Sequence, residues 1–313
     1  MSFIKKEISF PSSDGIHTIF AKLYEPSGKE ARGVLQLAHG MIDYVERYEV
    51  LAEALCEAGF ILAGNDHLGH GKSAGGNAED YGFFADRGGV ELLLSDMKKM
   101  NSIIHESYPS LPVFLMGHSM GSFLSRLYAV KYPESISGHI IHGTGGPKGI
   151  ILPMGKLMVK LNALLRGNRN RSGFIASLAF SGYNKRFPKE EGKHAWLTRD
   201  IARVSVRDDD EYTGFTFTDA AYYDLFTMTG RANSGRWFKT YPKNMPTLIM
   251  SGDADPVGDY GKAPSYIYTK LLKAGCTEVE LKLYKDARHE LFNELCREEA
   301  FADMIGWLKK RLR

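Results

Sequence analysis

The 313 residues are 43% hydrophobic and 25% charged, a composition that supports a large buried core and excludes a disordered chain. A formal net charge of +3 is too small to argue for nucleic-acid binding, and no apolar run approaches the roughly 18 residues that would span a bilayer. Cys56, Cys276 and Cys296 are too few and too scattered for a disulfide framework or a zinc site, and Met1-Ser2-Phe3-Ile4-Lys5-Lys6 lacks the apolar stretch of a signal peptide, so a cytoplasmic protein is expected.

Alternation over Ile4–Phe10 and Ile16–Tyr24 predicts a hairpin turning at Ser12–Gly15. Gly33–Ala38 predicts a short buried strand, Glu46–Ala58 a helix stopped by Gly59, Phe60–Gly64 a strand and Gly89–Ser107 a long amphipathic helix. Pro112–Met116, Gly138–Ile141, Pro246–Met250 and Val279–Tyr284 predict further strands, with helices over Ala263–Ala274 and Glu294–Arg311. Strands alternating with helices predict an α/β architecture, a mostly parallel central sheet with helices on both faces. From about Gly146 to Lys243 that rhythm fails. Leu152–Leu165 is an apolar helix candidate and Phe215–Phe226 is densely aromatic. Residues 146–240 are therefore expected to form a helical cap (lid), inserted into a core made of 1–145 and 241–313.

The most informative stretch is Gly117-His118-Ser119-Met120-Gly121, between an apolar strand and a helix-like run. Strand, Gly-x-Ser-x-Gly, helix is the layout of a nucleophile elbow, whose tight turn lifts the serine Oγ clear of the sheet. The helix that starts there presents free N–H groups and a positive dipole end to an oxyanion. Gly71-Lys72-Ser73-Ala74-Gly75 matches the same pattern, but polar loop precedes it, so Ser73 reads as a loop serine. The same stretch is no phosphate-binding loop, because Asp66 stands where that motif requires glycine.

A serine hydroxyl needs a base within reach, and the base needs an orienting carboxylate. Asp255 follows the strand ending at Met250 and His289 follows the strand ending at Tyr284, so acid and base come after the nucleophile in the order a hydrolase elbow requires. Asp253 is the main rival to Asp255, and Asp286 a weaker one. The oxyanion of the tetrahedral intermediate needs two N–H donors. Met120, just after the nucleophile, supplies one; Met41, in His39-Gly40-Met41 after the third strand, is assigned the other. His142-Gly143-Thr144-Gly145-Gly146 is an alternative donor loop that topology disfavours. Asp66-His67-Leu68-Gly69-His70 completes no metal-ligand set and is expected to pack beside the nucleophile.

Together, His39-Gly40, Asp66-His67-Leu68-Gly69-His70-Gly71-Lys72-Ser73, Gly117-His118-Ser119-Met120-Gly121, Gly252-Asp253-Ala254-Asp255 and Arg288-His289-Glu290 resemble α/β-hydrolases of the monoacylglycerol lipase and lysophospholipase group, which is classed with serine aminopeptidase-like hydrolases. The resemblance covers about residues 10–145 and 240–313. By position it implies the α/β-hydrolase fold, with Ser119 as nucleophile, Asp255 as acid, His289 as base and Met41 and Met120 as oxyanion donors. The cap matches no member closely enough to carry a substrate across.

From Ile151 to Arg207 twelve Lys or Arg face three acids, a local +9 against +3 for the whole chain. Such a lid suits transient contact with an anionic membrane surface or a phosphate head group; a solvated face balanced by Asp208–Glu211 is the plainer reading. The aromatic stripe is either acyl pocket or lid core. The expected function is hydrolysis of fatty acyl carboxylic esters of monoacylglycerol or lysophospholipid type through an acyl-enzyme on Ser119, with no metal and no cofactor. A serine aminopeptidase, an acyltransferase and a non-catalytic ligand-binding module on the same fold are the alternatives.

Overall fold

The computed structural model describes residues 3–312. Two antiparallel strands open the chain, β1 (Phe3–Pro11) and β2 (Thr18–Pro26), and β3 (Gly33–Ala38) follows. A 3₁₀ turn at Val45–Tyr48 leads into α1 (Glu49–Glu57), so the predicted helix starts later and more tightly wound than its apolar pattern suggested. The Val45 amide is already taken by the Asp66 carboxylate at 2.8 Å. Next come β4 (Phe60–Asn65), α2 (Gly89–Ser107), β5 (Val113–His118), α3 (Met120–Lys131) and β6 (Gly138–His142). Five helices intervene before the next strand: α4 (Ile151–Arg166), α5 (Gly173–Ala179), α6 (Ile201–Asp208), α7 (Asp219–Ala232) and α8 (Gly235–Thr240). The chain closes with β7 (Thr247–Gly252), α9 (Lys262–Lys273), β8 (Val279–Tyr284) and α10 (Arg297–Lys309).

The strands form one sheet in the order β1-β2-β4-β3-β5-β6-β7-β8, parallel from β4 onward. This is the α/β-hydrolase fold. Side-chain alternation along the central strands feeds two cores, as expected for parallel strands covered on both faces. Leu35, Leu37, Phe114, Met116, Leu248 and Met250 face α1 and α10, packing with Leu51, Leu55, Phe301, Met304 and Trp307. Val34, Val113, Leu115 and Ile249 face the other side, with Leu93, Met97, Leu124, Tyr128, Ile267 and Leu271. No helix among the described residues is long and apolar enough to cross a membrane.

The helices between β6 and β7 divide in two. α7 and α8 pack on the α3 side of the sheet: Phe217, Tyr222, Met228 and Trp237 are buried in that core, and Trp237 Nε1 donates to the Arg126 carbonyl at 2.7 Å. Two of the stripe's aromatics, Phe217 and Tyr222, are thus core side chains rather than the wall of an open pocket. The stretch through α4, α5 and α6 lies further out. Phe180, Tyr183, Phe187, Trp196 and Leu197 form a separate small cluster over Val257, beyond the end of β7. α4 keeps Ile151, Met154, Leu157, Leu161, Leu164 and Leu165 largely exposed.

The elbow is one of the tightest points of the fold. A Cβ on Gly121 would lie 2.0 Å from the Ala38 carbonyl oxygen, and one on Gly117 2.2 Å from the Gly121 oxygen. Backbone meets backbone in both cases, so no rotamer change makes room. Gly121→Ala should cost at least about 3 kcal/mol, the upper range of overpacking. Urea denaturation of the purified variant measures it.

Candidate active site

Ser119 stands at the β5–α3 junction with φ 52° and ψ −116°, a conformation residues other than glycine rarely adopt. Its N–H donates to the His142 carbonyl at 3.0 Å, which ties the elbow to the end of the neighbouring strand. Gly40 lies beside it: a Cβ there would sit 3.4 Å from Ser119 Cβ. The Gly40 N–H is engaged by Asp43 Oδ2 at 3.2 Å. The Met41 and Met120 amides have no acceptor among the described residues, the latter because it opens α3. In the alternative loop, by contrast, the Gly143 N–H is committed to the Met250 carbonyl at 3.0 Å.

The loops after β7 and β8 touch through their backbones, a Cβ on Gly252 falling 1.9 Å from the Ala287 oxygen. Their contact brings His289 Nδ1 to 3.0 Å from Asp255 Oδ2, both side chains almost wholly buried. The other Asp255 oxygen accepts the Val257 amide at 2.8 Å. Asp253 instead accepts the exposed Asp286 amide at 2.6 Å, so neither rival carboxylate is hydrogen-bonded to His289. The His289 ring lies 4.8 Å from the His118 ring and 5.1 Å from the Trp196 indole, centroid to centroid. A Cβ on Gly143 would touch both His118 and His289, which places the imidazole over the strand end that holds the Ser119 amide. No direct hydrogen bond joins Ser119 and His289; the ring's Nδ1 is engaged by Asp255.

Residues that the motifs do not reveal brace this arrangement. Asp43 accepts the Gly40 amide, the Tyr44 amide, the Tyr48 hydroxyl at 2.7 Å and the Arg47 guanidinium at 2.8 Å. Burial opposes its ionisation, but Arg47, the nearby histidines and the Tyr48 hydroxyl hold its carboxyl well below the usual carboxylate range. Arg47 also reaches Glu290 at 3.2 Å, so one guanidinium links the Met41 loop to the His289 loop. Glu294, fully buried, accepts the Arg288 amide at 2.9 Å and binds Arg199 through both its amide and its Nε. Asp43 and Arg47 carry a faint signal, opposite charges four apart at a predicted helix start. Glu290 lies inside the Arg288-His289-Glu290 motif without its pairing to Arg47 being legible there, and Trp196 and Glu294 carry no signal.

The Asp66–Ser73 loop braces the turns around β2, Val45 and His39 by hydrogen bonds, none of which reaches Ser119. The Asp66 carboxylate accepts the Val45 and Lys72 amides, and Ser73 Oγ bridges the Asp66 carbonyl and the Phe20 amide. Burial pushes the Asp66 carboxyl up to about 7. The His67 amide donates to His39 Nε2 at 2.8 Å, so the His39 proton sits on Nδ1 and donates to the Gly40 carbonyl. Burial drives His67 and His118 well below the ordinary imidazole value, and His70, His139 and His142 down to about 3.

The family described as serine aminopeptidase, S33, matches residues 29–296. The chain belongs to this family. It is 24% identical to human monoglyceride lipase over 307 residues, 96% of this chain and 89% of that one. Against the monoacylglycerol lipase of Mycolicibacterium smegmatis the identity is 24% with both chains covered completely. A thermostable carboxyl esterase from Bacillus coagulans, solved in complex with glycerol, superposes with a TM-score of 0.91 at 28% identity over 99% of each chain. The protein is an α/β-hydrolase of the monoacylglycerol lipase group and a carboxylic ester hydrolase.

Neutral buried histidines make the fold acid-sensitive. A histidine whose value is depressed binds fewer protons folded than unfolded, so its contribution is whole above about pH 6.5 and is lost as the pH falls below that. His39, His67, His70, His118, His139 and His142 all act in this sense. Asp66 and Asp224, raised by burial to about 7 and about 6, act in the opposite sense, their contribution lost as the pH rises. Together with His194, lowered in the same way, seven imidazoles outweigh the two carboxyls and the one raised imidazole, His17. Unfolding free energy should therefore fall by at least about 3 kcal/mol between pH 7 and pH 5, as measured by urea titration.

Proposed function

We propose that the protein is a serine esterase for fatty acyl carboxylic esters of monoacylglycerol or lysophospholipid type. The observation that carries this reading is the buried His289–Asp255 pair beside the strained Ser119 elbow. Ser119 Oγ attacks the ester carbonyl while His289 Nε2 takes its proton, and Asp255 holds the imidazole through Nδ1 and stabilises the cation. The Met41 and Met120 amides receive the oxyanion. His289 then protonates the departing alcohol, the acyl group stays on Ser119, and a water activated by the same imidazole releases the acid. The acyl–glycerol assignment draws on the relatives described as monoglyceride lipases and on the esterase solved with glycerol.

Residues 146–240 act in this reading as the lid expected from the sequence, with α4 as its outermost helix. Ile151, Met154, Leu157, Leu161, Leu164 and Leu165 recur at helical spacing and are 52–83% exposed, with Lys156, Lys160 and Arg166 on the same helix. An apolar stripe bordered by cations is the pattern of a helix lying in the interface of an anionic membrane. The helix would take up the surface on which the substrate resides.

Ser119→Ala should lower turnover of a p-nitrophenyl ester by at least about 10⁴-fold and abolish labelling by a fluorophosphonate probe, with the urea midpoint nearly unchanged. Parental activity in that variant would refute the nucleophile. Leu161→Asp with Leu165→Asp should weaken cosedimentation with phosphatidylglycerol vesicles by at least about tenfold. Equal binding of parent and variant would remove the membrane role.

A further inference from the structure

We infer that Trp196, contributed by the lid, stabilises the charged form of His289 through its indole face and so serves the reaction directly; this rests on the assignment of His289 as the base. The indole is buried and lies 5.1 Å from the imidazole, centroid to centroid, with 38° between the planes. A cation within about 6 Å of an aromatic centroid is attracted by the ring's quadrupole, and tryptophan is the strongest partner. During turnover His289 becomes an imidazolium twice, once in forming the acyl-enzyme and once in resolving it.

The indole is held in place by the backbone around it. The Trp196 amide donates to Asn184 Oδ1 at 3.0 Å, while its carbonyl accepts the His289 amide at 3.4 Å. One residue on, the Leu197 carbonyl accepts the Glu290 amide at 2.8 Å. Arg288 Nη1 donates to the Ala195 carbonyl at 2.6 Å and to the Thr198 carbonyl at 3.2 Å. The Tyr183 ring packs on the indole at 5.0 Å, centroid to centroid. This segment of the lid is laced to the base's own loop, and the one aromatic side chain it places against the base is Trp196.

Every charged or titratable group around the imidazole belongs to the same balance. Asp255 meets Nδ1 from the loop after β7, and His118 and His142 approach from the ends of β5 and β6. Tyr183 of the lid lies near Asp255. Glu290 and Arg288 flank His289 in its loop, and Arg47 and Glu191 pair with them. Asp255 supplies the negative charge. His118, kept neutral by burial, adds no charge beside the ring. Trp196 supports the cation without offering a competing proton acceptor.

The test is the pH profile of kcat/KM for a soluble p-nitrophenyl ester, per active site titrated with a fluorophosphonate, in Trp196→Phe and Trp196→Leu. The acidic limb should move to lower pH by about half a unit in the leucine variant and by less in the phenylalanine variant, with plateau kcat lowered about threefold and KM little changed. A purely structural role would reduce the titrated active fraction and leave the limb in place; that result overturns the inference. If the leucine variant does not fold, Trp196 emission in Trp237→Phe with Trp307→Phe is the second readout. Quenching that titrates together with the acidic limb supports the contact, and emission indifferent to it overturns it. Loss of activity in Ser119→Ala combined with an unmoved limb would reject this inference alone and leave the esterase reading intact.

Discussion

Two loops from adjacent parallel strands must meet, backbone against backbone, before His289 and Asp255 can pair out of water, and the surrounding structure is arranged around that constraint. A buried carboxylate–imidazole contact persists only where its remaining polar atoms are satisfied. Asp255 meets this condition through the Val257 amide, and the loop carrying His289 meets it through Glu294, whose buried carboxylate collects the Arg288 amide and Arg199. Gly252 is part of the same requirement, since no side chain fits between its Cα and the Ala287 carbonyl.

Charge distribution extends the logic outward. Arg47 sits between Asp43 and Glu290, shared as a counter-charge by one carboxylate beside the Met41 loop and one beside His289. Either carboxylate left alone would be a buried uncompensated charge, a costly state. The histidines behind the elbow serve the opposite need. Held neutral by burial, they fill polar space next to Ser119 without adding positive charge beside the His289 ring. The insertion between β6 and β7 then has two parts of different character. α7 and α8 are packed on α3 as part of the core, whereas the segment from Phe180 to Leu197 lies against the His289 loop, and α4, packed on α7, keeps an apolar face outermost.

Strand positions were legible because parallel strands buried on both faces read as short apolar runs, and every strand predicted from Gly33 onward is present within two residues of its expected bounds. The elbow was legible for a different reason: a Cβ on Gly117 or Gly121 would fall 2.2 or 2.0 Å from a backbone oxygen, and glycines so constrained leave a motif. The pairing of His289 with Asp255 rather than with Asp286 followed from strand order. The division of the insertion was not legible. α4 and α7 carry similar apolar patterns, and only tertiary packing decides that one faces solvent and the other the core. Trp196 and Glu294 escaped notice because their side-chain partners His289 and Arg199 lie 93 and 95 residues away, beyond any local spacing rule.

The central claim is that Ser119 carries the acyl group between the two halves of the reaction. Its most direct test is to quench the protein during turnover of a slow long-chain ester and map the adduct by peptide mass spectrometry. The account predicts an acyl mass increment on the peptide containing Ser119, lost in His289→Ala. An increment on another residue, or hydrolysis with no acylated peptide at any quench time, would contradict it.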